Sequence, residues 1–324
     1  DSGAYLYFRN SDIVNFVSSV RDNEGVMTYD ITSDVSIRTD ITQLGDVSPT
    51  DRTGDLGGTA LTVDGHNHEV NGLDSDNTTK LGGITIANNR TLSIHNATFK
   101  NFSEAFTNAG VLNLSGVTLT DNTSDAHNTG LINFEGTNEL NGSITDAATR
   151  TGSLTITSGT TTFNGSVAQN NFSNAGIVYI SADNFDISNT ASNTGSLNLY
   201  SGDLDTSISG SAGTTNILGD VSIVNDNTIT QQSVTIDTIA SLTTKANLVT
   251  ASNGISNAGT LNLNAGTLAS NITGVGTTYI LENVTSAVDI DQGTLDIAKT
   301  TTFQTSGDVA VSVLTINTDI TNSG

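Results

Sequence analysis

The sequence predicts an all-β chain, a parallel β-helix (solenoid). Two observations carry the prediction. First, one short unit recurs: Asn or Gly, then alternating apolar and small polar residues. It appears as Asn108-Ala-Gly-Val-Leu-Asn-Leu114, Asn128-Thr-Gly-Leu-Ile-Asn-Phe134, Asn174-Ala-Gly-Ile-Val-Tyr-Ile180, Asn193-Thr-Gly-Ser-Leu-Asn-Leu199 and Asn257-Ala-Gly-Thr-Leu-Asn-Leu263. Second, the unit returns at one coil's length. Gly110, Gly130, Gly152, Gly176 and Gly195 are 20, 22, 24 and 19 residues apart. Short strands at a period of about 20 residues, punctuated by Gly and Asn, describe stacked coils that bury a core only together.

The N-terminal 1–58 segment reads as a cap. Ile13, Phe16, Val17 and Val20 fall at i, i+3, i+4 and i+7, which predicts a short amphipathic helix over about 11–21. Ser11 suits its N-cap and Asp12 its positive start. Such a helix would cover the open strand edges of the first coil. Val26–Ile31 and Val35–Ile37 then alternate like strands, and 43–59, with the only Pro and several Asp and Gly, reads as a loop.

The solenoid is expected over 59–324 in roughly 20-residue coils. Alternate residues such as Leu112 and Leu114, or Leu261 and Leu263, point inward, and Asn113 or Asn262 between them points out. The turn residues Asn108, Asn128, Asn174, Asn193 and Asn257 are assigned a structural role: turns that tolerate φ > 0, and hydrogen-bonded ladders from coil to coil. Gly213 to Gly259 spans 46 residues, about two units, with Gln232-Ser-Val-Thr-Ile236 as a degenerate copy. The C-terminal end, at Asn322-Ser-Gly324, reads as uncapped.

Composition excludes several functions. Thirty-three acidic residues against 10 basic ones give a formal net charge of −23, which disfavours nucleic acid or anionic lipid as a partner. Without Cys there is no disulfide framework, thiolate metal site or Cys nucleophile. No apolar run of about 18 residues exists, so direct membrane insertion of this segment by a helix is not expected. Low hydrophobicity, at 35%, does not mean disorder here, because uncharged Asn, Thr, Ser and Gly replace it and the apolar residues are regularly placed.

The segments Leu61-Thr-Val-Asp-Gly-His-Asn-His-Glu-Val-Asn-Gly72, Leu92-Ser-Ile-His-Asn-Ala-Thr-Phe-Lys-Asn-Phe102 and Gly110-Val-Leu-Asn-Leu-Ser-Gly-Val-Thr-Leu119 resemble the opening coils of right-handed, pectin-lyase-like β-helices. More narrowly, they resemble the passenger domains of bacterial autotransporters and polymorphic outer-membrane proteins. The resemblance implies a right-handed coil and a location outside the cell, on the bacterial outer surface.

The same fold hosts carbohydrate lyases and hydrolases, so chemistry must be sought in the residues. After residue 100 only Arg150, Lys245 and Lys299 are basic, and no acids cluster with them. Asn317-Thr-Asp319 matches one element of polygalacturonase-like sites without its companions. His66 and His68, two apart on a strand, would share a face and could ligate a metal ion. Asp74 and Asp76 place oxygen ligands at alternate positions, as a Ca²⁺ loop does. His95 and His127 are isolated. Phe134, Phe163 and Phe303 fit inward positions, whereas Tyr179, Tyr200 and Tyr279 fit the outer face but stand apart in sequence.

No catalytic or cofactor-binding residue follows from these patterns. The expected function is a non-enzymatic, secreted bacterial cell-surface protein: an adhesin or a surface-presenting stalk. Its partner would be a host-cell surface protein or glycan, or another copy of itself. The alternatives are a self-assembling filament, sheath or surface-layer subunit, and a carbohydrate-active enzyme.

Overall fold

The computed structural model describes residues 26–30, 35–36, 41–44, 60–71, 84–86, 88, 91–100, 106–120, 126–145, 151–181, 184–299 and 301–317. The expected helix at 11–21 lies outside them. The described part is all-β, a parallel β-solenoid of the right-handed type without a helix. It divides into two compact units, residues 1–172 and 173–324.

In the first unit Thr91–Lys100 stacks in parallel on Ala60–Asn71 and beneath Val111–Thr120. Equivalent residues follow one another at coil spacing: Leu92 meets Leu112, and Leu112 meets Ile132. Alternation does the sorting. Leu92, Ile94, Ala97 and Phe99 are buried, while Thr91, Ser93, His95 and Thr98 between them are partly exposed. Phe134 and Phe163, both fully buried, meet edge to face at 5.5 Å.

The solenoid begins earlier than the sequence indicates. Val26–Asp30 pairs in parallel with Ala60–Asp64, Val35–Ser36 with Val70–Asn71, and Ile41–Leu44 with Ile84–Ile86. Strands assigned to the cap are therefore coil strands, and residues 43 and 44, read as the start of a loop, belong to one.

In the second unit Ser196–Leu199, Thr214–Ile217 and Ser233–Ile236 stack in register. The next coil changes phase. Ser233–Ile236 is met by Ile255–Asn257, and Thr260–Asn264, which opens a repeat in sequence, stacks on Ser241–Lys245. The 46-residue interval after Gly213 thus marks a slip of the motif by one strand. These strands share the same alternation, so the slip keeps inward residues inward, apolar except for the buried Thr244 and Asn257. Leu242 meets Leu261, and both are fully buried.

The glycines that mark the period act by close approach. A Cβ on Gly130 would lie 2.2 Å from the Gly110 carbonyl oxygen, and one on Gly195 would lie 2.0 Å from that of Gly176. In the first unit positive φ sits elsewhere, at a second corner. Asn67, Asn96, Gly116, Gly136 and Gly159 have φ of 67°, 49°, 67°, 68° and 77°. In the second unit Gly210 and Gly274, at φ of 136° and 125°, combine positive φ with close approach to the carbonyls of Asn193 and Asn257. The turn asparagines 108, 128, 174, 193 and 257 are not among the positive-φ residues, contrary to the reason given for placing Asn there.

Candidate functional site

Two polar systems run along the coils, one inside and one outside. Inside, Asn108, Asn128, Asn174, Asn193 and Asn257 are all buried. The side-chain oxygen of Asn108 accepts from the Gly110 N–H at 3.1 Å, and that of Asn174 accepts from Gly176 at 2.9 Å. This local closure makes the turn at these two positions, whereas the N–H groups of Gly130 and Gly195 donate to the backbone carbonyls of Asn108 and Asn174 in the neighbouring coil. The amide nitrogens then donate along the stack, Asn108 to Asn128 and Asn174 to Asn193, each at 2.8 Å.

Three glutamines extend these ladders. Asn128 donates to Gln169, Asn193 to Gln231 and Asn257 to Gln292, at 2.6, 2.6 and 2.8 Å. All three glutamines are buried. Burying an amide stabilises when its donors and acceptors are used; among the described residues the Asn257 side-chain oxygen is the one ladder atom buried without a partner, and this system holds turns.

Outside, short side chains bond to their equivalents in the next coil. Asn113 donates to Ser93 at 3.0 Å and Asn133 to Asn113 at 2.9 Å. In the second unit Asn216 donates to Asn198 at 2.8 Å and accepts from Thr235 at 2.5 Å. Asn262 donates to Thr243 at 3.1 Å. The result is a regular, pre-ordered polar sheet face.

One stretch of that face is different. Tyr179 and Tyr200 have ring centroids 6.3 Å apart, with planes inclined by 34°. Sequence spacing set them apart, but the register brings them onto neighbouring strands, because Tyr179 is the partner of Asn198 and Tyr200 lies two residues on. Ile177 and Tyr200 are each 42% exposed, whereas Asn198 is only 6% exposed. Tyr279 stands elsewhere, between Asn262 and Asp296.

The metal candidates fare differently. His66 and His68 lie in the strand Ala60–Asn71, but Asn67 between them has φ +67°. The pairing register also shifts between Asp64 and His68. Asp74 and Asp76 lie outside the described residues, as do Arg150 and Asp319. Among the described residues no three His, Asp or Glu side chains converge as metal ligands. His95 and His127 sit on separate strands, and Lys245 pairs with Asp226. Phe303 is half-buried, opposite buried Val284. No helix among the described residues is long and apolar enough to cross a membrane.

No known protein family, curated protein or solved structure matches the chain.

Proposed function

We propose that the chain is a non-enzymatic bacterial cell-surface protein, secreted to the outer surface, that acts as an adhesin or surface-presenting stalk. The supporting observation is the outer ladder. Asn113 and Asn133 are fixed by each other, and Asn216 by Asn198 beneath it and Thr235 beside it, before any ligand arrives. A face ordered in advance loses little side-chain entropy on binding, which favours recognition over an extended surface. The resemblance to autotransporter passenger domains points to the same location, and the partner would be a host-cell surface protein or glycan. Beads coated with the purified chain should retain host cells or immobilised host glycans. Beads that retain neither across a broad panel would overturn the reading.

A further inference from the structure

We propose that Tyr179 and Tyr200 form a stacking platform for a neutral sugar residue of a glycan. The inference rests on the surface-binding reading above and names its ligand class. Four apolar side chains run diagonally across three coils of an otherwise polar face: Ile177 and Tyr179, then Tyr200, then Leu218. The register between Ser196–Leu204 and Thr214–Ile223 shifts between Leu199 and Ser201. Tyr200 therefore opposes two residues, Leu218 and Gly219. The bulge lies in the Thr214–Ile223 strand, where it re-aims Leu218 beside Tyr200. At Gly219 a Cβ would lie 1.7 Å from the Tyr200 carbonyl oxygen, so the position beside the tyrosine must stay without a side chain.

The surroundings select the occupant. Both strands that carry the tyrosines are paired along the sheet, so a peptide cannot add there through its backbone. Asp203 and Asp220 are exposed at the neighbouring corner, Asp220 as the partner of Ser201, and they disfavour an anionic ligand. An inclination of 34° makes a shallow platform, not the box of near-perpendicular walls that encloses a cation. An uncharged pyranose ring, with its flat C–H face and its ring of hydroxyls, fits a platform with polar edges.

The chain has no Trp and six Tyr, so its intrinsic fluorescence reports tyrosine. The full chain would be titrated with lactose, maltotriose and N-acetylchitotriose, with a glucuronate oligosaccharide as the anionic comparison. At least one neutral sugar should give a saturable change and the glucuronate none. Tyr200→Ala should weaken binding at least tenfold with an unchanged circular dichroism spectrum. Tyr200→Phe should stay within about threefold, and Tyr279→Ala should not alter affinity. The inference falls if no neutral sugar saturates the wild type, or if Tyr200→Ala binds as the wild type does. Coated beads that still hold host cells in that case would leave the adhesin reading standing. Sugar binding without cell retention would do the reverse.

Discussion

The side chains of Asn193 and Gln231 meet at 2.6 Å although 38 residues, two coils, separate them. The intervening coil contributes Gly210, which follows Ser209, the partner of Ser192. Having no side chain, Gly210 leaves the longer glutamine room to reach past it. A Cβ there would lie 2.0 Å from the Asn193 carbonyl oxygen. Gln231 also donates to the Gly210 carbonyl at 3.1 Å, which ties all three coils together. Asn257 and Gln292 repeat the device around Gly274, whose Cβ would lie 2.3 Å from the Asn257 carbonyl oxygen.

Side-chain length is therefore critical at Gln231. Gln231→Asn keeps the amide but falls short of Asn193, and leaves buried polar groups unpaired. It should lower stability by about 1–3 kcal/mol, much as Gln231→Ala does. Urea unfolding followed by circular dichroism checks this. An asparagine variant as stable as the wild type would show that the bridge contributes nothing.

Buried threonines separate partnered from unpartnered hydroxyls. The Thr215 hydroxyl is buried without a hydrogen-bond partner, between the fully buried Leu197 and Val234. The hydroxyl of Thr278, equally buried, bonds to Gln292 at 3.2 Å. Valine keeps the shape and removes the hydroxyl. Thr215→Val should raise stability by about 1 kcal/mol, and Thr278→Val should lower it by a similar amount. The opposite signs, read from urea midpoints, are the test.

The outer ion pair should matter far less. Lys245 and Asp226 pair with side chains 50% and 68% exposed, where solvent and salt screen the attraction. Asp226 also has φ +55°, a conformation that asparagine adopts readily. Asp226→Asn should leave the urea midpoint within about 0.5 kcal/mol of the wild type, at low and high salt alike.

How far the sequence reveals this molecule depends on the range of each interaction. Asn-x-Gly before an alternating run is local, because Asn108 and Gly110 close their own turn, so the coil and its period can be read directly. The inward Leu, Ile and Phe positions follow from the same alternation. Gln169 and Gln231 carry no such local signal, since their partners lie 41 and 38 residues away and depend on the register. The phase slip after Ser233 is hidden for a related reason: every strand has the same period of two, so the pattern fits either neighbour equally well. The Tyr179–Tyr200 contact is diagonal between coils and emerges only once the register is fixed.

Gly152 and Gly136 should respond differently to substitution. Gly152 lies where backbones crowd: a Cβ would sit 2.0 Å from the Asn128 carbonyl oxygen and 2.4 Å from the Gln169 side-chain oxygen. Neither atom can withdraw without breaking the ladder that joins those two residues. Gly136 instead has φ +68° with open space, the nearest atoms to a Cβ being the Ser115 hydroxyl at 3.4 Å and the Gly116 nitrogen at 3.6 Å. Its demand is conformational, and Asn96 meets the same demand in the same corner at φ +49°. Gly152→Ala should therefore cost about 3 kcal/mol or prevent folding. Gly136→Asn should cost under about 1 kcal/mol, while Gly136→Val, a β-branched residue forced into the left-handed region, should cost clearly more. Thermal and urea unfolding of the three variants would decide the matter. Equal losses for Gly152→Ala and Gly136→Asn would show that close approach at Gly152 demands no more than backbone handedness at Gly136.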